Sequence, residues 1–168
     1  MLFTEVRGLP VLAADGGGPL GTVTSLTVDV VSGAVSHVRF RDSALGRVGL
    51  SGRVGLSGRV GLSGRVGLSG RIGRSGRERA VPWDAVDTVA AGAVRLRPAA
   101  PCEGAPRAHH DLLGHRVLLD TGTGHGTVLD VAFDTRTARL LALFTTRGEV
   151  LAGRLRGLGD YALVVRAG

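Results

Sequence analysis

A block of this sequence returns later in the same register, and that duplication limits the folds open to it. The block Gly21, Thr22, Val23, Leu26, Val28, Asp29 recurs as Gly126, Thr127, Val128, Val131, Phe133, Asp134. The match runs on without gaps through Val35 and Val38 against Leu140 and Leu143. Upstream, Gly8 and Val11 answer Gly114 and Val117; downstream, Val86, Val89, Val94 and Leu96 answer Leu155, Leu158, Leu163 and Val165. A chain with this self-similarity is built from two copies of one small unit rather than from one large domain.

Each copy reads as short strands. Leu26, Val28 and Val30 alternate with polar residues, which gives one apolar face at period two. Val11 to Ala13, Val23 to Val30, Ala34 to Phe40, Ala80 to Trp83 and Ala93 to Leu96 are the predicted strands of the first copy. The turns fall at Asp15 to Gly18 and Val31 to Gly33, where glycine takes positive φ without cost. Pro82 marks an edge or a strand end, and Asp84 to Val89 is read as one helical turn. Aromatics are only 4% of the chain, so the core must be aliphatic. The expectation is an all-β fold of two small barrels in tandem, closed so that no strand edge is left to aggregate.

The copies differ in length. Gly21 to Val86 spans 65 residues and Gly126 to Leu155 spans 29, a difference of 36. The excess is a second, shorter repeat: from Gly46 the chain reads Gly-Arg-Val-Gly-Leu-Ser four times, then Gly-Arg-Ile-Gly-Arg-Ser. The organisation is therefore a first module at 1–97 interrupted at about 43–79, a linker at 98–108 and a second module at 109–168. Three conformations suit a period divisible by both two and three. A strand would separate Val48, Leu50 and Val54 from Arg47, Ser51 and Arg53. A triple helix would use the glycine at every third place, although no proline pre-organises it. A low-complexity insertion would need no regular structure.

Charge follows the insertion. The net charge is +7, and residues 43–79 hold eight arginines and one acid, so the remainder is neutral. Every basic residue is arginine, which a GC-rich coding sequence explains more simply than guanidinium chemistry. Arg47, Arg53, Arg59, Arg65, Arg71, Arg74 and Arg77 are the candidate polyanion-binding residues. No aromatics interleave them, so stacking on bases is missing and any RNA contact would be to phosphates.

Other motifs are read as structural. Asp120, Thr121 and Gly122 resemble an aspartic-protease loop, but the first copy has an ordinary turn at that place. His109, His110, His115 and His125 lack the fixed spacing of a zinc site. Asp29 and Asp134 close equivalent strands, which suggests turn capping. Cys102 has no partner for an intrachain disulfide. The chain is expected to be no enzyme, with no catalytic, cofactor-binding or metal-binding residues and no cofactor. It has no long apolar run to insert into a membrane and no basic leader, so a cytoplasmic location is the default.

The order of Gly8, Val11, Leu20, Gly21, Val23, Leu26, Val28, Asp29 and Gly33, followed by Val81, Pro82, Trp83, Asp84 and Val86, resembles the PRC-barrel family. The second half resembles it too, but carries Leu151 and Ala152 where Pro-Trp is expected. The resemblance implies two PRC-barrel-like modules and protein–protein docking without catalysis. On this reading the chain is a cytoplasmic adaptor or scaffold for a protein partner. Trp83 and Pro82 are candidate partner contacts, with Trp83 also suited to capping a small core. The alternative is an RNA- or ribosome-associated factor gripping polyanions through the arginine repeat.

Overall fold

The computed structural model describes residues 1–16, 18–43, 76–90, 92–104 and 111–168. The readings of the hexapeptide repeat fall on residues outside these. The described residues are all-β apart from short helical turns. A four-residue helix α1 (Phe3–Val6) precedes β1 (Pro10–Leu12), β2 (Pro19–Asp29), β3 (Ala34–Asp42) and β4 (Glu78–Pro82). A 3₁₀ turn at Trp83–Ala85 leads to β5 (Val86–Ala90), β6 (Ala93–Leu96) and the short β7 (Glu103–Gly104). The second half follows with β8 (Arg116–Leu119), β9 (Gly124–Phe133), β10 (Leu140–Thr145) and β11 (Gly148–Leu151). A 3₁₀ turn at Ala152–Arg154 then leads to β12 (Leu155–Leu158) and β13 (Leu163–Val165). None of the described helices is long and apolar enough to cross a membrane.

The duplication is visible in the strand order. The first sheet runs β5-β6-β1-β2-β3-β4-β7 and the second β11-β10-β9-β8-β13-β12. Read from the opposite end, the second sheet repeats the first, β7 aside. In both, the opening strand lies parallel to the closing one: Val11 beside Val94, and Val117 beside Leu163. The entry turns match as well. Gly8 donates its N–H to the Val23 carbonyl and Gly114 donates to Val128, each at positive φ. Between β3 and β4 lie residues 43–77. The equivalent β10–β11 connection is the two-residue turn Thr146–Arg147.

The expectation of closed barrels is corrected. Each sheet has two ends that do not pair with each other among the described residues. The outer edge of β4 is taken by β7, through Arg79 beside Gly104 and Ala80 beside Glu103. In the second sheet the end strands β11 and β12 have four residues each. The shortness of these end strands protects the open edges. The helical turn expected over Asp84 to Val89 is corrected too. Only Trp83–Ala85 turns, and Val86–Ala90 is a strand, because Val86 and Val89 are drawn into the core and Val86 and Ala90 pair with Leu96 and Ala93.

One apolar cluster spans both halves. A pseudo-two-fold axis passes through the place where the hairpin turns meet. Val35 donates to the Ala138 carbonyl and Leu140 donates to the Gly33 carbonyl, both at 2.9 Å, around an Ala34–Arg139 bridge. Each bond is the copy of the other, since Gly33 and Ala138 are equivalent, as are Val35 and Leu140. Even the backbone agrees, with φ of 64° at Gly33 and 62° at Ala138. The aromatic contacts break the symmetry. Phe133 is fully buried, with Phe3 edge-on at 5.3 Å and Trp83 edge-on at 5.6 Å between ring centres.

Candidate docking face

The inner face of β10 and β11 buries Leu143, Thr145 and Val150. Side chains alternate along a strand, so Ala142, Phe144, Glu149 and Leu151 lie together on the other face. Asp130 and Ala132 of β9 stand opposite Phe144 and Ala142 on that face. Leu129 sits at the β9–β10 irregularity beside Phe144. This face is open: Leu151 is 62% exposed, Leu129 57% and Phe144 36%. Leu141, at the neighbouring irregularity, is exposed as well. α1 reaches the edge of this face, where the Thr4 N–H and hydroxyl donate to the Asp130 carboxylate, and Ala142 is buried. The three large apolar side chains left exposed beside them, with Glu149, are the pattern of an interaction surface rather than scattered exposure.

The equivalent face of the first sheet differs residue by residue. Thr24 stands for Leu129, Arg39 for Phe144 and Pro82 for Leu151. It is also covered, since Ser25, Thr27, Arg39 and Ala80 are all buried there. Arg39 is paired to Glu78 at 2.9 Å. Asp111 lines the same recess beside Arg7 and Arg39. Burial pushes the Asp111 carboxyl above its ordinary pKa, against the Leu113 N–H and the pull of Arg7, Arg39 and His115. The duplication thus leaves one covered polar face and one open apolar face.

The residues singled out by sequence lie elsewhere. Trp83 is half-buried on Phe133 and joins the two halves, so its ring serves the core. Pro82 pairs with His37 at the end of β4, half-buried. Arg77 is exposed, and its carbonyl accepts the Asp42 N–H at 3.0 Å. Arg47, Arg53, Arg59, Arg65, Arg71 and Arg74 lie outside the described residues, as do His109 and His110. Asp120 accepts the Ala167 N–H at 3.0 Å and so fastens the segment that follows β13. Among the described residues no group of three or more His, Cys, Asp and Glu comes together.

Asp29 and Asp134 cap their turns. Asp29 accepts from the Val31 N–H at 3.0 Å, and Asp134 accepts from Arg136 at 2.7 Å. Ser32 with Val31, and Arg136 with Thr137, hold these carboxylates below their ordinary pKa. The open apolar face was missed by sequence reasoning, yet a signal existed. Leu140, Leu141, Ala142, Leu143 and Phe144 form a strand apolar on both faces, whereas its copy is half polar, with Ser36, His37 and Arg39. A two-sided apolar strand must be covered on both sides or serve a partner. No protein-family model matches this chain, and no curated protein matches it.

Proposed function

We propose that this chain is a non-enzymatic cytoplasmic adaptor of two PRC-barrel-like modules that docks a protein partner on the outer face of the second sheet. The open cluster of Leu129, Phe144 and Leu151 carries the reading. The acids singled out as chemistry candidates support it, because Asp29, Asp120 and Asp134 are each engaged in fastening backbone N–H groups. A second reading rests on charge: the whole excess of positive charge lies at 43–79, which suits RNA or a ribosomal surface.

One capture experiment separates the two. The full chain, a Phe144→Asp/Leu151→Asp variant and a form lacking residues 43–78 are used as baits in host lysate, each with and without nuclease. The docking reading expects the face variant to lose its partners while the deletion and nuclease leave them. Loss on deletion and on nuclease treatment, with the face variant unaffected, overturns it in favour of polyanion binding.

A further inference from the structure

The two sheets end differently at equivalent strands. In the first, β7 pairs with the outer edge of β4, Arg79 lying beside Gly104 and Ala80 beside Glu103. The Arg79 guanidinium also donates to the Cys102 carbonyl at 3.3 Å. In the second, β11 ends the sheet, and no described strand pairs with its outer side. The residues correspond one for one: Gly148 with Arg79, Glu149 with Ala80, Val150 with Val81 and Leu151 with Pro82.

Backbone direction decides what β11 can offer. Thr145 and Gly148 close a two-residue turn and so form a hydrogen-bonded pair. Bonded pairs alternate along an antiparallel ladder, which makes Leu143 and Val150 the next one. Glu149 and Leu151 therefore turn their N–H and C=O groups away from β10, toward the open edge. Ala80 does the same on β4, where Glu103 meets it, but at the next outward position Pro82 has no N–H to give. The exchange of Pro82 for Leu151 restores that donor at the same φ of −63°.

Side chains add the selectivity that so short an edge lacks. Glu149 and Leu151 stand exposed on the open face beside Phe144. A residue directly opposite either of them on an added strand lands on that same face. The neighbour of Leu151 extends the apolar cluster, and the neighbour of Glu149 meets a carboxylate. We infer that β11 receives an extended segment of a protein partner as an added antiparallel strand. The segment carries an apolar residue opposite Leu151 and, two places later, Lys or Arg opposite Glu149. Backbone pairing supplies affinity and the two side-chain pairs select the partner. This inference rests on the docking reading and names how the partner is held.

The probe is a phage-displayed library of random dodecapeptides selected on the full chain. Enriched peptides are expected to share the apolar–any–basic spacing. When bound, they should slow amide exchange at Glu149 and Leu151 but not at Val150, whose N–H is already paired with Leu143. Leu151→Ala keeps the N–H and loses the side chain. Leu151→Pro loses the N–H and keeps more apolar surface, at a φ that proline adopts. With folding of both checked by urea unfolding, Leu151→Pro is expected to bind the peptides at least about tenfold more weakly than Leu151→Ala. Peptides that bind the two variants equally but are lost with Phe144→Asp overturn the added strand and leave the docking face standing. Unchanged exchange at Glu149 and Leu151 under a bound peptide overturns the added strand whatever the variants do. Peptides indifferent to all three substitutions tell against both readings. No enrichment overturns the added strand, while the docking reading keeps its own capture test.

Discussion

Replacing Trp83 by alanine gives the first half the residue that the second half carries at Ala152. A fully buried Trp→Ala change costs about 3–5 kcal/mol from lost transfer energy and the cavity left behind. Trp83 is half-buried, which removes part of that sum, but it also loses its edge-on contact with Phe133, worth about 0.5–1.5 kcal/mol. The expected cost is about 2–3 kcal/mol, and for a chain of this size a fall in Tm of roughly 5–10 °C. Urea unfolding followed by far-UV circular dichroism measures it, since the variant has lost the only Trp. Phe133→Leu supplies the control. In that background the ring pair is already gone, so the cost of Trp83→Ala should drop by about 1 kcal/mol. A cost below about 1 kcal/mol, or no coupling to Phe133, would refute the view that Trp83 ties the two halves together and would return it to the surface as a partner contact.

Other expectations follow from single positions. Gly21→Ala would place a methyl carbon 2.2 Å from the Arg41 carbonyl oxygen and 2.7 Å from the Phe40 ring. It should cost about 3 kcal/mol or more by overpacking and backbone displacement. Gly33→Ala meets open space at φ 64° and should cost only about 1 kcal/mol, the strain of a left-handed alanine; urea midpoints compare the two. Asp29 and Asp134 have folded pKa values below the ordinary 3.8, so they stabilise the fold above that pH and the contribution is lost as pH falls through the lowered values. An Asp29→Ala/Asp134→Ala variant should be less stable at pH 7 and should lose less on acidification. Asp111 has the opposite sign: its raised pKa makes stability fall as pH climbs from 3.8 through the folded value. Asp111→Asn, which can still accept the Leu113 N–H, should therefore be more stable than the parent at pH 7, and the difference should vanish near pH 3 in the same urea assay.

Much of this fold was legible because its information is local. Period-two alternation at Leu26, Val28 and Val30, glycine at the Val31–Gly33 turn and the Asp29/Asp134 equivalence place the central hairpins of both halves. All of it depends on residues within a few places of one another. What crosses between the halves was not legible. Val35 with Ala138, and Phe3 and Trp83 with Phe133, are contacts between residues distant in sequence, and no local pattern encodes them. Strand closure was misjudged as well: the two ends of each sheet do not pair, and in the first sheet β7, from a linker with no strand pattern, takes the outer edge of β4. The open face on β9–β11 could have been found. Comparing the copies position by position exposes the exchange of Arg39 for Phe144 and of Pro82 for Leu151, a change that packing within one half does not require.

The central claim is that a partner sits on the outer face of the second sheet. The most direct test is site-specific photo-crosslinking in the native host. Leu151→p-benzoylphenylalanine reports on the face, and Val31→p-benzoylphenylalanine, at a position 98% exposed on the first half's hairpin turn, reports on chance encounters. The expected result is a discrete protein adduct from position 151 that persists after nuclease treatment and is absent from position 31. Equal, diffuse labelling at both positions, or adducts only with nucleic acid, would contradict the account.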